Sequence, residues 1–186
     1  MKTKKRLMNA FPKVLRQDVK VVIDQMDIKW FQNELSNMSF SALLENGEVL
    51  TIPERIYFNE VSEETYRQFA PLQQSILCCI YSRHHDGFVR EKYIMKLDNL
   101  LQVEDWMIPY LIKFLGEGVI ELLYSVNQVF EKIDKNKLNA FTSQNEAFVQ
   151  KVESQMISYW NEYYREEFPS LWGDEYIGFR IFKMYL

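Results

Sequence analysis

Between Leu72 and Ile133 apolar residues return every three or four positions, and the plainest breaks in the pattern are Asp86-Gly87 and Gly116-Glu117-Gly118. That period places one apolar stripe along each helix, and such a stripe is buried only when another element covers it. The chain is therefore predicted to be mainly α, built by helices packing on helices. One run carries Leu72, Ile76, Cys79, Ile80 and Arg83 after Pro71 and is expected to close at Asp86-Gly87, where glycine supplies the positive φ of a helix end. The next carries Val89, Tyr93, Leu97 and Leu100 or Leu101, with Asp86 placed to cap it. A third starts near Glu104-Asp105, takes Pro109 in its first turn and runs through Leu111, Ile112 and Leu115. Val119, Leu122, Leu123, Val126, Phe130 and Ile133 make a fourth.

The flanks extend the same reading. Asp134 to Asn139 reads as a polar link, and Ser143-Gln144-Asn145-Glu146 matches a capping box. The helix that box opens carries Val149, Val152, Met156, Trp160 and Tyr163, is widened by Ile157, Tyr164 and Phe168, and stops at Pro169. Tyr176 to Leu186 fits a last helix through Ile177, Ile181 and Met184. At the other end, Leu15, Val19, Val22 and Met26 follow Pro12 at helical spacing, and Asp27 is placed to cap a short helix carrying Ile28, Phe31 and Leu35. The period then changes. Phe40, Ala42 and Leu44 alternate, Asn46-Gly47 intervenes, and Val49 to Ile52 follow, which predicts one small β-hairpin near residues 38–52 with a type I′ turn, ended by Pro53. Residues 1–186 are expected to form a single helical domain with residues 1–10 as a flexible basic tail.

Charge and cysteine usage narrow the setting. The chain is acidic, with a formal net charge of −4, which disfavours wholesale attraction to nucleic acid or an anionic membrane. Its first twenty residues run the other way at net +6, through Lys2, Lys4, Lys5, Arg6, Lys13, Arg16 and Lys20 against Asp18. No stretch approaches the roughly 20 apolar residues of a membrane span, and Asn9 and Pro12 break up anything resembling a signal-peptide core. Cys78 and Cys79 are neighbours that cannot take unstrained disulfide geometry, so they read as core thiols in the cytoplasm.

The candidate site is Arg83-His84-His85-Asp86, with Arg90 one turn further on, because these hold the chain's 2 histidines at a helix junction. Arginine anchors carboxylates or phosphates, and histidine responds to pH or to an anion. Adjacent histidines diverge, and zinc ligands on one helix come at i and i+4, so neither metal nor any other cofactor is expected. A pairing of Cys78 or Cys79 with either histidine spans too many residues of one helix to bring nucleophile and base together. Asp86-Gly87-Phe88-Val89-Arg90, with Tyr93, Leu97 and Leu100, followed by Trp106 to Leu115, resembles parts of two HEAT-like helical repeats over roughly residues 71–133. The resemblance implies that Asp86, Val89 and Arg90 help neighbouring helical units stack. The Arg83 to Arg90 string also resembles one found in uncharacterised bacterial proteins, which brings no activity with it.

The leading expectation is a non-enzymatic protein-interaction module acting through Arg83, His84, His85, Asp86 and Arg90. Its protein partner is unidentified, and the wide aromatic stripe of Tyr159, Trp160, Tyr163, Tyr164, Phe168 and Trp172 suggests a homodimer through the C-terminal helix. One alternative is a small metal-dependent or His-based hydrolase at His84 or His85, assisted by Asp86 or Asp105. Another is a DNA-binding helix-turn-helix presenting Arg90, Lys92 and Lys96 to a major groove.

Overall fold

The computed structural model describes residues 2–28, 35–99 and 103–186. The fold is mainly α with one small hairpin, as the periodicity predicts, and the chain divides into two compact units, Met1–Leu100 and Leu101–Leu186. The short helix expected after Asp27 falls largely on residues 29–34, outside the described residues, as do Leu100 and Leu101.

In the first unit, α1 (Lys2–Met8) occupies the stretch expected to be a tail and buries Leu7, with Ala10 and Phe11 following it inward. Its basic character is partly absorbed by α2 (Arg16–Gln25), where Asp24 accepts from Lys4 at 2.8 Å and Lys20 at 2.7 Å. Those two hydrogen bonds hold the Asp24 carboxyl down at about 2. Helix α2 buries Val19, Val22 and Ile23, and packs on the helix at Pro71–Tyr81. Strands β1 (Ser39–Leu43) and β2 (Val49–Pro53) pair antiparallel, Phe40 opposite Ile52 and Ala42 opposite Leu50, with those four side chains turned inward.

The hairpin turn differs from the type I′ expectation. A type I′ turn needs positive φ at both central residues, and here Gly47 has φ +80° while Asn46 does not have positive φ. Gly47 N–H donates to Leu44 O, and Leu44 N–H donates to Glu48 O, both at 2.8 Å. The loop is thus three residues long with glycine in the left-handed position, and Asn46 instead accepts from Glu48 N–H through its side chain at 3.0 Å.

After the hairpin, residues 54–61 run as an extended strap to α3 (Glu63–Gln68), whose Ser62 cap accepts from Thr65 N–H at 3.1 Å. Helices α4 (Pro71–Tyr81) and α5 (Gly87–Asp98) complete the unit. Glycine does not close α4 as expected. Gly87 is the first residue of α5, and α4 ends at Ser82, a buried residue whose hydroxyl donates to Cys79 O at 2.7 Å.

In the second unit a 3-10 turn at Asp105–Met107 leads into α6 (Ile108–Leu115), every residue of which is buried. A helix apolar on all sides belongs inside, and α6 packs on both α7 (Ile120–Phe130) and α9 (Glu146–Tyr159). Its one charged residue, Lys113, donates to Gln155 at 2.8 Å. The expected link at Asp134–Asn139 is instead the start of α8 (Lys135–Gln144), capped by Asp134 and burying Leu138 and Phe141. The expected capping box is absent: Asn145 precedes α9, and the Ser143 hydroxyl donates backward to Asn139 O at 2.8 Å. A π-turn, Trp160–Tyr164, extends α9, and α10 (Ile177–Tyr185) packs on α7 and α8. Trp160, Trp172, Tyr176 and Phe179 form an aromatic cluster at ring separations of 4.9–5.1 Å.

Replacing Gly47 by alanine forces a side chain into the left-handed region and is expected to lower stability by about 1 kcal/mol. Asn46→Gly keeps the turn and stays within about 0.5 kcal/mol by the same reasoning. Urea unfolding of the two variants separates them.

Candidate functional site

One helix ends and another begins between Tyr81 and Gly87, so orphan carbonyls and orphan N–H groups crowd the same short segment. Asp86 serves the incoming helix, its Oδ1 accepting from Phe88 N–H at 2.9 Å. Arg90, one turn along α5, reaches back and donates through Nη1 to His84 O at 2.8 Å and His85 O at 2.9 Å. Arg83 donates to Ser82 O at 3.3 Å and to Glu54 O at 3.0 Å, with its guanidinium 5.8 Å from the centre of the Phe40 ring. Both arginines are buried and directed at main-chain carbonyls.

His84 is also buried, and both of its ring nitrogens are engaged. Nε2 donates to Phe58 O at 2.9 Å, and Nδ1 accepts from Asp86 N–H at 3.1 Å. Only the neutral ring with its proton on Nε2 satisfies both bonds. Burial lowers the His84 pKa below its ordinary 6.5, and neighbouring His85 acts in the same sense, against the Phe58 carbonyl, Asp86 and Glu60. His85 differs. It is exposed, stacks on Tyr57 with ring centres 5.2 Å apart, and lies 4.3 Å from the His84 ring.

The strap is fastened to this junction at several points. Ile56 N–H donates to Arg83 O at 2.8 Å, and His85 N–H donates to Ile56 O at 3.0 Å. Tyr81 Oη donates to Asn59 O at 2.8 Å and accepts from Val61 N–H at 3.0 Å. The five residues chosen from the sequence therefore do converge, in two roles. Arg83 and His84 face inward and tie strap to turn, Arg90 faces inward and braces the turn itself, whereas His85 and Asp86 face solvent.

Two residues of this surface escaped the sequence reading. Phe88 is 83% exposed in the first turn of α5, and Tyr57, under the His85 ring, is 49% exposed. Phe88 had a signal: it is a large aromatic out of phase with the buried positions Arg90, Tyr93, Ile94 and Leu97. Tyr57 sits on an irregular strap and had none.

The groups invoked for catalysis or DNA contact are placed as follows. Cys78 and Cys79 are fully buried, with burial pushing Cys78 up to about 12 and Cys79 well above its usual range, so both are thiols at neutral pH. On α5, Lys92 pairs with Glu60 at 2.6 Å. Lys96 pairs with Glu63 at 2.7 Å while lying 3.6 Å from the centre of the Tyr66 ring. Asp105 pairs with Lys137 at 2.8 Å. Among the described residues no three His, Cys, Asp or Glu side chains gather where a metal could be held, and no helix is long and apolar enough to cross a membrane. The chain matches no family model, no curated protein and no solved structure.

Two outcomes follow from this geometry. Because the His84 pKa is lowered on folding, the unfolded chain takes up a proton first as pH falls. Stability is complete above pH 6.5 and declines as pH drops toward the folded-state value, by at most about 1.4 kcal/mol per pH unit. Urea unfolding between pH 7.5 and pH 5 (roughly the interval above carboxylate titration) reads this slope, and His84→Gln flattens it. Arg90→Met strips a guanidinium from the buried His84 carbonyl and the part-buried His85 carbonyl and is expected to cost about 2 kcal/mol in the same assay at neutral pH.

Proposed function

We propose that the protein is a non-enzymatic protein-interaction module whose partner-binding surface is the outward side of the α4–α5 junction. The observation that carries this reading is Phe88, a phenyl ring 83% exposed on the first turn of α5, close in sequence to the exposed His85 that stacks on Tyr57. Exposed aromatics of this kind are the usual anchors of protein interfaces, because they bring large apolar area at small cost in side-chain entropy. Arg83, His84 and Arg90 hold the turn from within, so the surface is pre-organised.

The inward placement of those three residues supports this reading over a hydrolase, since His84 would have to surrender a buried hydrogen bond to act as a base. It also supports it over a DNA-reading helix, since Arg90 is buried and Lys92 and Lys96 are ion-paired. The two adjacent buried thiols support a reducing, cytoplasmic setting. The α4–α5 hairpin, with Asp86 capping and Arg90 bracing one turn, serves as a HEAT-like unit in this reading. A second contact surface is the aromatic end of α9, where a second copy of the chain is the partner. Tyr159 and Tyr163 stand out from it, stacked 6.0 Å apart, while Met156 and Trp160 are buried.

The test compares proteins retained from a lysate by immobilised full-length chain and by Tyr57→Ala, Phe88→Ala and the double variant. Surface truncations of this kind are expected to leave the thermal midpoint within roughly 2 °C. The double variant is expected to lose a partner that the parent retains. Equal retention by both, with the fold intact, would sink the assignment of this surface.

A further inference from the structure

The outward face of α9 bears an open groove of about 550 Å3, formed along the helix itself from Lys151 to Tyr163. Its two halves are unlike. The first half brings Lys151, the small side chain of Ser154, and Gln155, which is steadied by the Lys113 ammonium at 2.8 Å. The second half brings Glu162 and the stacked rings of Tyr159 and Tyr163. Among the described residues lining the groove, Lys151 is the one cation and Glu162 the one anion.

A helix face that is small and positive at one end, large and negative at the other, complements itself when reversed. We propose that two copies of this chain pair antiparallel along α9, with Lys151 opposite the partner's Glu162 and Tyr159 against the partner's Ser154. This specifies how the self-association assigned to α9 is built, and rests on that assignment. Lys151 and Glu162 are about 16 Å apart along the axis at the α-helical rise. Centring the two-fold between Met156 and Ile157 brings both charge pairs together at once, as an isologous interface requires. The same register places Ser158 opposite the partner's Gln155, so small and large residues alternate across the seam. A register shifted by one turn would set Tyr159 against the partner's Ser158 and move each lysine away from its glutamate.

The unit's interior explains why this face is left outward. Tyr159 rests its ring on Gly118, where an added Cβ would collide with it, and Tyr164 hydrogen-bonds to Gly118 O and Ile120 N–H at 3.1 and 3.2 Å. The helix is thereby fixed in rotation, with Val152, Met156 and Trp160 inside and the groove outside.

Charge exchange tests the register directly, by sedimentation equilibrium on the full chain. The parent is expected to be dimeric at about 100 μM, a concentration that populates micromolar dimers. Lys151→Glu alone sets two glutamates opposite two glutamates, and Glu162→Lys alone sets two lysines opposite two lysines. Each is expected to weaken dimerisation roughly 30-fold. Mixing the two single variants restores opposite charges at both sites, so a 1:1 heterodimer is expected, and the double variant Lys151→Glu/Glu162→Lys is expected to pair with itself. Circular dichroism of each variant checks the fold. A dimeric parent whose single variants remain equally dimeric would overturn the register while leaving self-association standing. A monomeric parent at this concentration would overturn both.

Discussion

The guanidinium of Arg90 is the tie on which the first unit's junction depends. The carbonyls of His84 and His85 lie in the turn between α4 and α5, beyond the end of the α4 ladder, and need a donor from outside it. Arg90 supplies that donor from the next helix, at 2.8 and 2.9 Å. With the turn braced, the His84 ring can bridge Asp86 N–H and Phe58 O, and the strap can add the Ile56 main-chain pairing to Arg83 O and His85 N–H on either side of His84. Each of these contacts involves a polar group that is buried, so each would carry a desolvation penalty if its neighbour moved. The junction is cooperative for that reason: the strap, turn and first turn of α5 are held by one set of hydrogen bonds.

Periodicity in the sequence revealed most of this framework, because amphipathic helices declare themselves through burial. The α4 and α7 segments follow their stripes, α10 buries Ile177 and Ile181 but leaves Met184 exposed, and Asp86 and Ser62 are caps whose side chains do what their residue types favour. What misled is equally physical. Lys135 to Gln144 carries only Leu138 and Phe141 as buried residues, too thin a stripe to stand out from a polar link. Ser143 had the spacing of a capping box, yet it lies in the last turn of α8, where its hydroxyl finds the Asn139 carbonyl first. Asp86-Gly87 reads as an ending because glycine favours one, whereas a cap immediately before it makes the same pair a beginning.

The candidate site was legible as a location before its roles were. Arg83 falls in phase with Ile76, Cys79 and Ile80, and Arg90 in phase with Tyr93, Ile94 and Leu97, so both charged residues lie on buried faces. A buried guanidinium is costly unless its hydrogens are received, and the carbonyls that receive them come from the turn and from the strap. No periodicity encodes the path of residues 54–61. The conversion of apparent ligand-binding arginines into braces was therefore invisible until that path was known.

In the second unit a comparable economy shapes α9 and the π-turn that extends it. Val119, the residue before α7, has no polar side chain to cap that helix, and the Tyr164 hydroxyl receives the free N–H of Ile120. A regular α-helix advances about 100° per residue. Four residues apart, Trp160 and Tyr164 share one side of the helix, so Tyr164 reaches Gly118 O and Ile120 N–H from the side on which Trp160 is buried. Tyr159 and Tyr163 remain stacked on the outside, and the Trp160 indole donates inward to Phe168 O at 2.9 Å. Capping one helix thus decides which aromatics of another reach solvent. The exposed tyrosines are a consequence of satisfying the Ile120 amide, and they leave a rigid surface whose ring positions are set from beneath, as those of Tyr57 and His85 are by the strap.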